Sequence, residues 1–251
     1  MCLILFAYKV NPKYKLMVAA NRDEFYLRPT TPAHFWEDAP EILAGRDLEK
    51  MGTWMGVTRS GRFAALTNYR DPNEVTEGKR SRGELVANAL QFKGDIKDYM
   101  QGLAGENDWY PGYNLLAGDG DELFYYSNVG RELKKLTPGI YGVSNHLLNT
   151  DWPKVQSGKD GLSTILSNDN EDLLEPLFTL LQKSELAPDE RLPKTGVSIE
   201  WERMLSPMFI KSKNYGTRSS TLLLQSETEM VYAERVFTDN EIKNQNYTLK
   251  L

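Results

Sequence analysis

The chain has 251 residues and a formal net charge of −5, which argues against nucleic acid as a general partner. Its one cysteine excludes an internal disulfide, and one cysteine with two distant histidines leaves no zinc pattern, so we expect neither a metal nor a cofactor. The apolar start is too short to span a membrane and has no basic region before it, which favours a cytoplasmic protein folded as one domain over residues 1–251.

Two predicted strands at the N-terminus end beside the lone cysteine. Residues 2–8 and 16–20 are apolar and predict a hairpin, with Asn11-Pro12-Lys13 as its turn. The second strand then runs into four consecutive polar residues, Asn21, Arg22, Asp23 and Glu24. An apolar strand that ends in polar side chains beside a thiol is typical of the floor of a site.

Position 2 suits one form of nucleophilic chemistry. Removal of the initiator methionine would make Cys2 the N-terminal residue, and the small side chain at this position favours that removal. The free α-amine titrates near neutrality, so it could accept the proton of the thiol without help from a histidine. The alternative, that Cys2 only packs as a small apolar residue in a buried strand, stays open.

The segment after the polar cluster combines prolines with aromatic residues. Residues 25–32 contain two prolines within four positions and predict an extended loop rather than a helix. Phe35 and Trp36 follow on this loop, and we interpret them as the wall of a pocket. Packing at the edge of the core is the alternative.

A second predicted hairpin also ends in polar residues. Residues 42–47 predict a short strand, and residues 52–58 and 61–70 predict two strands joined by a turn. The last strand changes from apolar to polar and ends at Asn68 and Arg70. Two predicted strands therefore finish with an asparagine near an arginine.

Arginine is concentrated in the first third of the chain. Eight of the 13 arginines lie between positions 21 and 82, where there are only two lysines. Arginine grips carboxylates and phosphates in a bidentate manner, so the pattern indicates an anionic small-molecule ligand. Pairing with nearby carboxylates such as Asp47 and Glu49 is the alternative, and we expect it for most of these arginines.

Helices and a further set of strands follow. Ser81 and Glu84 have the spacing of a capping box and predict that an amphipathic helix begins there. Residues 113–127 predict a hairpin, and residues 139–145 predict a strand that ends in Asn145. A side-chain amide at a strand end can donate to a developing oxyanion, or only to the backbone of a turn.

The last third of the chain predicts two helices, a polar loop and a closing hairpin. The helices are expected after Asp151 and over residues 173–181, and residues 184–213 are expected to be mostly loop. Residues 215–237 predict the hairpin, whose first strand begins with a polar run around Arg218. Strands joined by tight turns and alternating with helices predict two largely antiparallel sheets between helical layers, a four-layer αββα sandwich of the α/β class.

Several motifs together resemble the NRDE family, which includes the transport-and-Golgi-organisation proteins of animals and many bacterial members. The matching stretches cover nearly the whole chain and are densest in the first 70 residues: 20–25, 28–30, 44–47, 52–54, 67–70, 144–145 and 216–221. That family is in turn similar to the N-terminal nucleophile hydrolases, nearest the cysteine acylases such as penicillin V acylase and bile salt hydrolase. The resemblance implies the same αββα sandwich.

The resemblance also implies roles for individual residues. Cys2 would be the nucleophile with its own amine as base, Arg22 and Asp23 would hold the thiol and amine, and Arg218 would stabilise charge near the thiol. Asn68 and Asn145 would contact the oxyanion or the substrate. Further substrate contacts are expected from Asn21, Glu24, Phe35, Trp36, Trp54 and Arg70.

One part of the acylase pattern does not align uniquely. The acylases carry an arginine followed three residues later by an aspartate, whereas the third residue after Arg22 is Phe25. Aligning Asn21 with that arginine places Glu24 on the aspartate. Which of Asn21 and Arg22, and which of Asp23 and Glu24, supports the thiol therefore stays open.

Two functions follow from these residues, and a third is weaker. The first is a cysteine amidohydrolase or acyltransferase of the N-terminal nucleophile type that acts on a C–N linked acyl group. The second is a non-catalytic carrier of a haem-, lipid- or acyl-CoA-like ligand, with Phe35, Trp36 and Trp54 in its pocket and arginines at its mouth. The third is an interaction protein without a small ligand.

Overall fold

Two antiparallel β-sheets face each other in the computed structural model, which describes residues 2–168, 172–238 and 241–251. The first sheet has the strand order β10-β1-β2-β11-β12-β13. Its strands are β1 Cys2–Tyr8, β2 Leu16–Phe25, β10 Gly139–Val143, β11 Tyr215–Gln225, β12 Glu229–Phe237 and β13 Ile242–Lys250. Because neighbouring strands are antiparallel throughout, the end of β1 that begins with Cys2 lies beside the end of β2.

The second sheet is a meander whose seven strands pair in chain order. Its strands are β3 Thr30–Phe35, β4 Ile42–Asp47, β5 Met55–Thr58, β6 Phe63–Asn68, β7 Tyr113–Gly118, β8 Leu123–Ser127 and β9 Glu132–Lys135. The helices are α1 Gly83–Gln91, α2 Ile96–Gly102, α3 Pro153–Ser167, α4 Leu174–Leu181 and α5 Ile199–Met204, with short 3₁₀ turns at Leu103–Trp109 and Asp189–Arg191.

Three apolar clusters define four layers. Alternate residues of the two sheets, such as Ile4 and Val57, meet in the cluster between them. A second cluster joins α1 and α2 to the outer face of the meander, and a third joins α3 and α4 to the outer face of the first sheet. This alternation of inward and outward side chains is what period-2 strands require when both faces of a sheet are covered. The αββα sandwich predicted from the sequence is confirmed.

Several local predictions were wrong. The expected loop over residues 25–32 is shorter, because β2 continues to Phe25 and β3 begins at Thr30. Pro32 is tolerated there because β3 is an edge strand and its register with β4 shifts between Thr31 and His34.

The predicted capping box before α1 does not form. The helix begins at Gly83 with Arg82 at the N-cap, which makes no side-chain capping bond. The Glu84 carboxylate instead accepts from the Tyr110 hydroxyl at 2.5 Å and pairs with Arg80 at 2.5 Å. The Arg80 guanidinium and the Tyr110 hydroxyl are therefore the hydrogen-bond donors to Glu84, in place of the backbone N–H that a capping box would supply.

Candidate functional site

Cys2 lies at the mouth of a cleft between the two sheets. In the strand register Cys2 is opposite Arg22, and Arg22 is opposite Ser219. Directly opposite residues project on the same face of a sheet, so these three side chains form a row across the first sheet, facing the second. The cleft has a volume of about 460 Å³, and the half-buried Cys2 is one of its lining residues.

Asp23 is the buried carboxylate beside the thiol. Its Oδ1 accepts from the Thr217 hydroxyl at 2.7 Å, and its backbone carbonyl accepts from the Tyr215 hydroxyl at 3.1 Å. Burial raises the pKa of Asp23, while the Lys154 ammonium opposes that shift. Burial also raises the pKa of the Cys2 thiol, with a further increase from Asp23 and a decrease from Arg22.

Lys154 supplies a buried positive charge from the helical layer. It is the second residue of α3, is only 4% exposed, and donates to the Leu205 carbonyl at 2.9 Å. Burial lowers the pKa of Lys154 to about 8, and Asp23 is the strongest charge that counteracts this. The charges of Asp23 and Lys154 therefore each offset part of the desolvation of the other.

Asn68 and Asn145 come together on the other side of Cys2. The Asn145 amide nitrogen donates to the Asn68 carbonyl at 3.0 Å, and Asn145 is fully buried whereas Asn68 lines the cleft. The Ser144 hydroxyl lies 3.1 Å from the Cys2 carbonyl and 3.3 Å from Asn145 Oδ1. The end of β10 is thereby tied to the start of β1 and to the end of β6.

The cleft is rich in cations. Its lining includes six of them, Arg22, Arg28, Lys50, Lys79, Arg80 and Arg82, against three carboxylates, Asp23, Glu24 and Asp47. Arg28 pairs with Asp47 at 2.6 Å and Lys79 with Glu74 at 2.9 Å. Within the part of the chain that the structure describes, Arg22 has no carboxylate within 4.0 Å, although it is only 6% exposed. The cleft can therefore offer positive charge to an anionic group.

Arg22 is held by an aromatic ring in place of an ion pair. Its guanidinium carbon lies 4.1 Å from the ring centroid of Trp54, a cation–π contact between the two sheets. Burial lowers the pKa of Arg22, although a guanidinium stays charged at neutral pH. Trp54 also lines the cleft, so the sequence-predicted residues Cys2, Arg22, Asp23, Glu24, Trp54 and Asn68 share one cavity.

Other predicted site residues lie outside the cleft lining. The buried Asn21 amide donates to the Leu181 and Met208 carbonyls, each at 2.8 Å, and accepts from the Ser220 hydroxyl at 2.6 Å. Arg218 bulges from β11 and donates to the carbonyls of Phe25 and Arg28 at 2.9 and 3.1 Å. Arg218 lines a neighbouring cavity, on the far side of Arg22 from Cys2.

Three more predicted residues are engaged elsewhere. Trp36 is buried in the cluster under α1 and α2, and its indole N–H donates to the Ala44 carbonyl at 3.2 Å. Phe35 packs edge-on against Tyr247, with ring centroids 6.0 Å apart, beside a separate shallow pocket. Arg70 forms a buried ion pair with Glu202 at 2.7 Å. Trp36 and Phe35 therefore have the packing role that was the alternative to a pocket wall, and Arg70 has the structural pairing that was the alternative to ligand binding.

Sequence reasoning missed Lys154, Thr217 and Arg82. Lys154 follows the first-turn proline of α3. In the sequence, the only indication that its side chain could be buried is its position next to the apolar Val155, which is buried in the structure. Thr217 precedes the β-bulge at Arg218 and could be found only from the strand register.

The described residues contain neither a helix that could span a membrane nor a metal-binding cluster. No helix in that part of the chain is long and apolar enough to cross a membrane. No group of His, Cys, Asp and Glu side chains there is arranged to hold a metal ion.

Comparison with known proteins gives consistent matches in sequence and in fold. A family model described as Transport and Golgi organisation 2 matches residues 1–239. The Transport and Golgi organization protein 2 homolog of Bos taurus is 36% identical over 94% of this chain and 92% of its own length. The Homo sapiens homolog is 34% identical over 97% of this chain and 96% of its own length.

Two solved structures share the fold at low sequence identity. The C2A mutant of conjugated bile acid hydrolase from Clostridium perfringens has a TM-score of 0.55 and 10% identity, covering 100% of this chain and 96% of its own. The Caenorhabditis elegans ortholog of N-acylethanolamine-hydrolyzing acid amidase has a TM-score of 0.52 and 8% identity, covering 89% and 92%. At these identities the likeness shows the N-terminal nucleophile hydrolase fold and nothing finer.

Proposed function

The chain belongs to the Transport and Golgi organisation 2 family. From the residues around Cys2 we propose that it is a cysteine amidohydrolase or acyltransferase with Cys2 as N-terminal nucleophile. The substrate class is a small molecule with an acyl group linked through a C–N bond. Removal of Met1 is part of the proposal, because it frees the α-amine that serves as base.

The proposed reaction has two stages. The Cys2 sulfur attacks the acyl carbonyl carbon while its proton passes to the α-amine of Cys2. The resulting ammonium returns that proton to the leaving nitrogen as the C–N bond breaks, leaving a thioester on Cys2. Water, or another nucleophile in the transferase case, then attacks the thioester, releases the acyl product and restores the thiol.

The observation that supports this most is the place of Cys2 in the fold. Its half-buried thiol lines a cleft at the end of the central hairpin, beside Arg22 and the buried Asp23. The C2A mutant of conjugated bile acid hydrolase, in which the cysteine at position 2 of that protein is replaced by alanine, has the same fold. A merely structural cysteine would have no need to line a cation-rich cavity.

The surrounding residues would divide the remaining tasks. We assign the Asn68 amide, which lines the cleft, as donor to the developing oxyanion, and Asn145 as the residue that positions it through the Asn68 carbonyl. Asp23, whose carboxylate is stabilised by the charge of Lys154, would orient the α-ammonium formed during attack. Arg22 would lower the pKa of the thiol and attract an anionic substituent.

An acylation experiment tests the proposal. Wild-type protein and a Cys2→Ala variant are incubated with an activated acyl ester, and intact masses are recorded before and after. We expect a wild-type mass that lacks methionine and gains one acyl group, a gain that reverses with time as the thioester is hydrolysed. An absent adduct, or an equal adduct on Cys2→Ala, would refute the nucleophile assignment.

The excess of cations in the cleft favours a second candidate function, a non-catalytic carrier of an anionic haem-, lipid- or acyl-CoA-like ligand. On that proposal Arg22 and Arg82 would grip the anionic group, and Cys2 would not react. The carrier would be favoured if such ligands bind Cys2→Ala with the same affinity as wild type and if wild type is not acylated. Acylation of wild type at Cys2, with no binding of these ligands to Cys2→Ala, would favour the enzyme.

A further inference from the structure

A second cavity of about 210 Å³ lies next to the cleft. Among the described residues the two spaces share only Arg22 and Trp54 in their linings. These are the two residues joined by the 4.1 Å cation–π contact between the sheets. The stacked pair therefore stands as a partition with Cys2 on one side and the second cavity on the other.

Gly45 fixes the place of the indole. A Cβ atom added to this glycine would lie 2.5 Å from Cη2 and Cζ2 of Trp54, a distance that side chains do not tolerate. The indole therefore occupies space that any other residue at position 45 of β4 would fill. With the guanidinium of Arg22 stacked on the ring, the half-buried Trp54 is confined from two directions.

The space behind the partition is lined by residues of both sheets, most of them with polar side chains. Its lining includes Ser219, next in the row after Arg22, and the buried carboxylate of Glu234. One Glu234 oxygen accepts the Ala33 N–H at 2.6 Å. Adjacent strands are about 4.8 Å apart, so Ser219 lies roughly 10 Å from Cys2 across the sheet. Along the row from Cys2 to Ser219, a substituent on a molecule bound at Cys2 reaches this space by passing Arg22 and Trp54.

We propose that Trp54 is a specificity-determining residue that limits the size of the group accepted beside Cys2. Substrates with a small or linear substituent next to the reacting carbonyl fit the cleft, and bulky ring systems on the Arg22 side are excluded. The second cavity becomes part of the site when the indole is absent. This inference uses the proposed function only to identify Cys2 as the reacting residue.

Alkylation with two reagents of different size tests the inference without requiring catalysis. The Cys2 thiolate displaces iodide from iodoacetamide or from N-(biphenyl-4-yl)iodoacetamide, forming a thioether, and the thiol proton goes to buffer. The quantity measured is the ratio of the bulky to the small rate constant, so changes in thiol reactivity cancel. Intact mass against Cys2→Ala confirms the labelled residue.

The two matched variants should move this ratio in opposite directions. Trp54→Ala joins the cavities and should raise the ratio about tenfold or more, the range expected for steric discrimination in a pocket. Gly45→Ala pushes the indole towards the cleft and should lower it. Trp201→Ala, which removes a tryptophan that is 42% exposed on α5, should leave the ratio unchanged.

An unchanged ratio in Trp54→Ala, or a change as large in Trp201→Ala, would overturn the inference. Trp54→Phe keeps a smaller ring and should give an intermediate ratio, which preserves the test if Gly45→Ala does not fold. If the proposed enzymatic function is wrong but this inference is right, no acyl adduct forms on Cys2. The bulky-to-small alkylation ratio still increases as the side chain at position 54 becomes smaller.

Discussion

The buried ion pair between Arg70 and Glu202 should stabilise the part of the fold that carries the candidate site. Their side chains are 6% and 3% exposed and are 2.7 Å apart. The other Glu202 oxygen accepts from the backbone N–H and hydroxyl of Thr195 at 3.0 and 2.6 Å. The backbone N–H of Arg70 donates to the backbone carbonyl of Asn145 at 2.8 Å. The ion pair therefore stabilises the position of a residue that contacts the candidate site.

Glu202→Gln keeps the shape and an acceptor for Thr195 but leaves Arg70 as an uncompensated buried charge. Breaking a buried pair in this way costs about 3–5 kcal/mol, and we expect that loss in the free energy of unfolding from urea denaturation. The double variant Arg70→Met/Glu202→Gln should be more stable than Glu202→Gln alone, because no unpaired charge remains buried.

An exposed ion pair between α5 and the 3₁₀ turn Asp189–Arg191 provides the matched control. Asp189 and Arg203 are 2.5 Å apart, with side chains 54% and 44% exposed, and Asp189→Asn should leave the free energy of unfolding nearly unchanged. Equal losses for Asp189→Asn and Glu202→Gln, or a double variant less stable than Glu202→Gln, would refute the reasoning from burial.

Three further predictions use burial and charge around the cleft. The pKa of Lys154 in the folded state, about 8, lies below its ordinary value, so the free-energy cost of burying its charge is full below pH 8 and is relieved as the pH rises to about 10.5. The free energy of unfolding of wild type should therefore increase by up to about 3 kcal/mol relative to Lys154→Met over that pH range. A difference in urea denaturation that does not depend on pH would contradict this. Because Asp23 raises and Arg22 lowers the pKa of Cys2, iodoacetamide at pH 7.5 should alkylate Asp23→Asn faster and Arg22→Gln more slowly than wild type, and changes of the same sign would contradict the assignment. Gly52→Ala should lower the melting temperature, because its Cβ would lie 2.5 Å from the Gly83 backbone, whereas Gly102→Ala, with open space around it, should raise stability by about 0.5–1 kcal/mol.

Most strands could be predicted because they contain continuous buried apolar runs, as in β1, β2, β6 and β11. The change from apolar to polar residues did not mark the end of β2, which continues from Asn21 to Phe25 because its polar side chains still pair in the sheet. β13 was missed because its side chains are mostly exposed, so no alternation of apolar residues marks it. β9 was missed for the same reason, since it is a four-residue edge strand with three exposed side chains.

The candidate site could be predicted only where its residues are close in sequence or lie at strand ends. Cys2, Arg22 and Asp23 follow from the first hairpin, and Asn68 from the second. Lys154 comes from a helix whose docking depends on tertiary packing, and nothing local marks a lysine as buried. Trp36 shows the converse, because a tryptophan on an apparent loop is indistinguishable in sequence from one in the core.

The role of the α-amine can be measured by comparing two forms of the same protein. Met-free and Met-retained wild type are prepared by varying methionine aminopeptidase activity during expression, and intact mass verifies each form. The two forms differ only in Met1 and in the position of the α-amine, so the ratio of their Cys2 acylation rates measures the effect of freeing the Cys2 amine. The proposed mechanism predicts that the Met-free form reacts about 10²–10⁴ times faster, the range for a positioned general base. Equal rates in the two forms would contradict it and leave Cys2 without its base.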